Sequence, residues 1–94
     1  METVILTKTQ NDLKYQFADI EVLKSAEQVQ RRKDSLYLAL ILGNNYNKVV
    51  KLSAITGEGP VNIEGIILAM TEDFVILKGG GKIPVICIEE VRIY

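Results

Sequence analysis

The segment Lys78-Gly79-Gly80-Gly81-Lys82 is where the chain looks most ready to do chemistry, because three glycines between two lysines could cradle an anion. Glycine admits positive φ, and successive backbone N–H groups then converge on a negative charge. A phosphate loop of the usual kind, however, is G-x-x-x-x-G-K-[ST] opening a helix, so that amides, lysine and hydroxyl meet phosphate and magnesium together. Here Lys82 is followed by Ile83 and Pro84, with no Ser or Thr in place. The flanks Phe74–Leu77 and Ile83–Ile88 are dense in β-branched residues, which predicts a hairpin with the glycines as its turn.

The remaining reactive residues give no catalytic arrangement. The chain has no histidine, which removes the commonest general base and every Ser-His-Asp triad. Glu89 and Glu90 are adjacent, so in an extended segment they point to opposite sides rather than at one substrate. Glu72 and Asp73 read as a solvated turn; a metal would need them to converge with distant carboxylates. Cys87 is the single cysteine and lies between Ile86 and Ile88. It is expected to be a small core hydrophobe, in a reducing compartment. No catalytic, cofactor-binding or metal-ligating residue is therefore assigned, and the expectation is that the protein is not an enzyme.

Charge gives a second kind of site. Residues 24–51 carry six basic side chains against two acidic ones, net +4, between two acidic flanks, in a chain whose overall charge is −1. Arg31, Arg32, Lys33, Lys48 and Lys51 make a candidate basic belt, with Tyr37 and Tyr46 placed to stack on bases. The plainer alternative is that these charges are the solvated face of a helix.

These residues must be positioned by a small scaffold. Ninety-four residues, 48% apolar and 24% charged, suit one globular domain with a modest core. "METVILTKTQ" lacks the pattern of a signal peptide, and the apolar run Leu36–Leu42 is too short to span a bilayer. A soluble, cytoplasmic protein is expected. Within residues 46–94, "NKVVKLSAIT" and "VNIEGIILAM" read as strands separated by the turn "GEGP", and Gly65 marks a bulge or sharp bend in the second. With the hairpin and a closing segment Val91–Tyr94, this gives four or five short strands. Pro84 near the start of its strand points to an edge or first-residue position.

Residues 1–23 are expected to form an N-terminal β-hairpin with its turn at Thr9–Asp12, for a specific reason. Without a gap, "VILTKTQNDLKYQFADIEV" (4–22) lies over "VILKGGGKIPVICIEEVRI" (75–93), strand on strand and turn on turn. Whether that is duplication or two solutions to one hairpin geometry stays open. Between the halves, residues 24–45 are expected to hold a helix. Ser25 with Gln28 fits a capping box, and Ala26, Val29, Leu36, Tyr37, Leu40 and Ile41 fit one stripe. Gly43-Asn44-Asn45 would end it. For 36–42 a buried strand is the rival, since a short apolar run has no decisive period; helix is preferred.

The run "VNIEGIILAMTEDFVILKGGGKIPVICIEEVRIY" resembles the Sm-like and SH3-like small-barrel superfamily in its apolar spacing. The matching parts are a Gly-bent strand at Ile63–Met70, then Phe74–Leu77, then Ile83–Ile88, a one-turn connection at Glu89-Glu90, and a closing strand at Val91–Tyr94. The resemblance covers about half the chain, and a preceding helix is also usual in Sm-like proteins. It implies a mainly β fold with one helix (α+β): a small barrel preceded by an N-terminal hairpin and a helix. RNA-binding relatives in that superfamily place an Asp six residues after the strand glycine and an Asn four further on. Here those positions hold Thr71 and Val75. Their Ile-Arg-Gly near the last strand is replaced by Ile88-Glu89-Glu90, so that RNA site does not carry over.

Two binding functions follow as expectations. The first is a protein-interaction or oligomerisation module pairing through exposed strand edges, with Val91, Arg92, Ile93 and Tyr94 as the edge. The alternative is binding of RNA or single-stranded DNA on the basic belt. No cofactor and no membrane contact is expected. The expected core is Ile63, Ile67, Phe74, Ile76, Val85, Cys87, Val91 and Ile93, subject to a one-residue error in register.

Overall fold

The computed structural model describes residues 4–6 and 16–93, the former by their backbone. The turn of the expected N-terminal hairpin, residues 7–15 of the 4–22 echo and Tyr94 lie outside the described residues. One helix packs on two small sheets, an α+β architecture rich in strand.

Helix α1 runs Ala26–Tyr46. It starts where the sequence places it. Ser25 is the N-cap, its hydroxyl accepting from the Gln28 N–H (3.1 Å), and the Gln28 side chain accepts back from the Ser25 N–H. The run 36–42 is helical, and Arg32, Leu36, Ala39 and Gly43 form the buried stripe. The expected stop at Gly43-Asn44-Asn45 is corrected: the helix continues to Tyr46, and Asn47 makes the left-handed cap at φ 52°. Gly43 is needed for close approach instead, since a Cβ there would overlap the Ile67 carbonyl oxygen. The two asparagines stay helical by donating from Nδ2 to carbonyls one turn back, Leu40 (3.0 Å) and Ile41 (2.9 Å).

The first sheet has β2 (Val50–Thr56) at its centre, between β3 (Gly59–Gly65) and β7 (Ile88–Ile93), both antiparallel to it. The short β1 (Val4–Leu6) adds to the far side of β3 in parallel. Strict alternation drives β2: Val50, Leu52, Ala54 and Thr56 point inward, while Lys51, Ser53 and Ile55 point out. The second sheet is β4 (Ile67–Met70), β5 (Phe74–Leu77) and β6 (Lys82–Pro84), all antiparallel. Between them the chain bends at Gly65–Ile66, so the stretch read as one bent strand becomes β3 and β4 in different sheets. The Lys78 N–H bonds the Ile66 carbonyl (2.8 Å) and fastens that corner to the hairpin.

Within Lys78–Lys82, residues 78–81 are the turn joining β5 to β6, with Gly79 and Gly80 at φ 101° and 103°, and Lys82 opens β6. Beyond it the expected boundaries are corrected. β6 ends at Pro84, residues Val85–Cys87 form a 3-10 turn, and Glu89 and Glu90 belong to β7 rather than to the connection. The last bond across the pair lies just past Pro84, from the Val85 N–H to the Asp73 carbonyl (2.9 Å), and the chain then turns into the 3-10 segment. The continuous apolar run 83–88 hid this break, because it carries no period that separates turn from strand.

One core joins both sheets and the helix, built from residues such as Leu36, Leu52, Ile63, Ile67, Val75, Leu77, Ile83 and Ile88. Ile63, Ile67 and Cys87 are buried as expected. Phe74 and Ile76 are only half-buried, because β5 turns Val75 and Leu77 inward. Its four residues are all apolar, so the pattern leaves the register undetermined. Val85, Val91 and Ile93 are likewise half-buried, packed against the core margin. Among the described residues no ladder joins β6 to β7, and no helix is long and apolar enough to cross a membrane.

Candidate functional site

The basic belt divides when folded. Arg31 is exposed on the helix, 3.9 Å from Glu27, and Lys33 is exposed beside it. Tyr37 and Tyr46 are also exposed, and Lys48 is half-buried. Lys51 points outward from β2 and pairs across the sheet with Glu64 (3.6 Å), its side chain 18% exposed. That outer face also carries Arg92 with Glu90 (3.2 Å), and Ser53 donating to Glu89 (3.2 Å). It is a mixed-charge surface on the side of β2 away from the core that the helix packs on.

Arg32 is corrected most: expected as a phosphate ligand, it is 7% exposed. Its guanidinium forks onto Glu21, Nη1 donating to Oε2 (2.6 Å) and Nη2 to Oε1 (2.5 Å), and Nη1 also donates to the Ile88 carbonyl (3.1 Å). This bidentate bond holds the Glu21 carboxyl below its ordinary pKa of 4.5, against the opposing effect of burial. Arg32 Nε is buried and has no hydrogen-bond partner among the described residues. Sequence reasoning missed Glu21 altogether. The available signal was the position of Arg32 on the Leu36–Ala39–Gly43 stripe, which turns it inward and obliges it to find a counter-charge.

Glu21 belongs to a strap, residues 16–24, without helix or strand of its own. The strap is tied by Gly57 N–H to Gln16 O (2.9 Å), Ala18 N–H to Ile55 O (3.0 Å) and Val22 N–H to Ile86 O (3.0 Å). Two clefts flank Arg32. One of about 300 Å³ lies between the helix and β7, with Leu23 on its wall; one of about 360 Å³ lies over the 3-10 turn, with Glu21 on its wall.

Among the described residues the two sheets end at β1, β7, β4 and β6, and the edges of β7 and β6 differ. β7 ends the first sheet, and its six residues pair only with β2 among the strands described. Of the predicted edge residues, Val91 and Ile93 are half-buried and Arg92 is exposed; Tyr94 is outside the described residues. On β6, Pro84 makes Phe74–Pro84 a non-hydrogen-bonded pair, so by alternation Lys82 also turns its N–H to the open side. Lys82 lies over the Phe74 ring, 4.4 Å from its centroid. The β6 edge thus offers one N–H followed by a proline. Cys87, fully buried, has its thiol pKa pushed up to about 11 by burial, which makes it a poor nucleophile at neutral pH.

No family model matches the chain, and neither does any curated protein or solved structure.

Proposed function

We propose that the protein is a non-enzymatic interaction module on a small Sm-like or SH3-like barrel, assembling with further copies of itself through the open edge of β7. The chain path supports the barrel reading. Strand β2, the bent pair β3–β4, the hairpin β5–β6, a 3-10 turn and β7 returning to β2 follow the order that the resemblance implies, behind a helix. The observation that carries the function is β7 itself: six residues at the end of a sheet, with a row of backbone groups facing away from β2. Such an edge pairs or must be blunted, and β6 is blunted by its proline whereas β7 has none. Pairing β7 to β7 of a second copy continues the sheet by a two-fold axis and closes as a dimer.

A second reading rests on Arg31, Lys33 and Tyr37, which remain exposed on the helix and are fit to meet a single-stranded nucleic acid. Light scattering at low and high salt, with an oligouridylate binding measurement in parallel, separates the two. Edge pairing gives a dimeric mass indifferent to salt. A monomer at every concentration overturns it, and RNA binding that fades with salt then favours the second reading.

A further inference from the structure

The strap lies against the helix and the 3-10 turn without regular structure, and its Leu23 N–H donates to Glu21 Oε2 (3.0 Å). Glu21 places its carboxylate on Arg32, Val22 bonds the Ile86 carbonyl through its N–H, and Leu23 lines the cleft beside β7. Glu21 and Leu23 each wall one of two clefts that share Arg32, so lifting the strap joins them into one trough. That trough has Arg32 at its centre, aliphatic patches at Val29, Val85 and Val91, and charged side chains of both signs on its walls, Arg31 and Lys33 against Glu72, Glu89 and Glu90. Among the described residues the buried Arg32 Nε has no acceptor, so the strap leaves the site incompletely satisfied.

We propose that this trough is a recognition site for an extended protein segment of the form acidic–aliphatic–aliphatic, and that residues 21–23 are its autoinhibitory occupant. The carboxylate supplies the counter-charge to the buried Arg32, one backbone N–H docks on Ile86, and the last aliphatic side chain packs on the wall of the cleft beside β7, where Leu23 lies now. A partner segment with one more acceptor can also engage Nε. Competition by the strap lowers apparent affinity by the fraction of molecules in which the trough is open.

The test uses a fluorescent peptide with the sequence of residues 18–24, ADIEVLK, and the full chain with and without Glu21→Gln. The substitution weakens the strap's hold while leaving Arg32 in place. Anisotropy is expected to show binding to the variant at least about tenfold tighter than to the natural chain, and a peptide with Gln in place of its Glu should not bind. A folded variant that does not bind the peptide overturns the proposal, as does binding that ignores the Glu-to-Gln change. Hydrogen exchange on the natural chain tests it independently of the variant. The Val22 amide is expected to exchange through an opening that leaves Leu52 protected. Exchange of Val22 only with global unfolding means that the strap cannot open alone, and overturns autoinhibition.

Discussion

Arg32 and Cys87 show how neighbours decide what a reactive side chain is for. Cys87 was legible because both sequence neighbours are isoleucines, and its burial then raises the thiol pKa to about 11. At pH 7 an aromatic disulfide reagent should therefore modify no thiol in the native protein within minutes, and one equivalent after denaturation. Fast native labelling would contradict the burial. Arg32 was misread as part of a basic run, because the charge sequence Arg31-Arg32-Lys33 says nothing of which of three successive residues faces inward. The Glu21 carboxyl has a folded pKa below its unfolded value, so its ion pair adds stability that is complete above pH 4.5 and is lost as pH falls through the folded pKa. Acid titration of stability should be less steep in this window for Glu21→Gln than for the natural chain. Equal slopes would mean that the pair contributes nothing.

Helix α1 was legible at its start and not at its end, and the difference is physical. A capping box is a local exchange of hydrogen bonds between Ser25 and Gln28, so four residues suffice to see it. Gly43-Asn44-Asn45 has the composition of a stop, but its meaning is set by a contact with Ile67, more than twenty residues away. Gly43→Ala is the discriminating substitution. If Gly43 were only a poor helix former, alanine would stabilise the protein by about 1 kcal/mol. Because its Cβ would overlap the Ile67 carbonyl oxygen, overpacking dominates, and a net loss of about 1–2 kcal/mol is expected in urea denaturation. A rise in the midpoint would show that helix and strand separate without cost. The same limit applies in β5 and in the 83–88 run, where unbroken apolar sequence fixed neither the register nor the break at Pro84.

The order of strands after residue 50 was close to what the sequence implies, whereas the division of one bent strand between two sheets was not visible. That division depends on what the two halves pack against. Residues from β2 and β3 meet residues from β4, β5 and β6 in a single cluster, closed on its third side by Leu36 and Ala39 of the helix. No layer keeps a core of its own, so neither sheet has a way to stay folded when the other opens. Leu52, fully buried on the central strand, should on substitution by alanine cost about 2–5 kcal/mol. Native-state hydrogen exchange then reads how that loss is shared. The most protected amides of β2 and β5, near Leu52 and Val75, are expected to open with one common free energy and to fall by the same amount in Leu52→Ala. A fall confined to β2 would divide the molecule into two units and leave the β7 edge on a sheet that moves by itself. A common fall makes the edge part of one rigid body, which is what pairing with a second copy in fixed register requires.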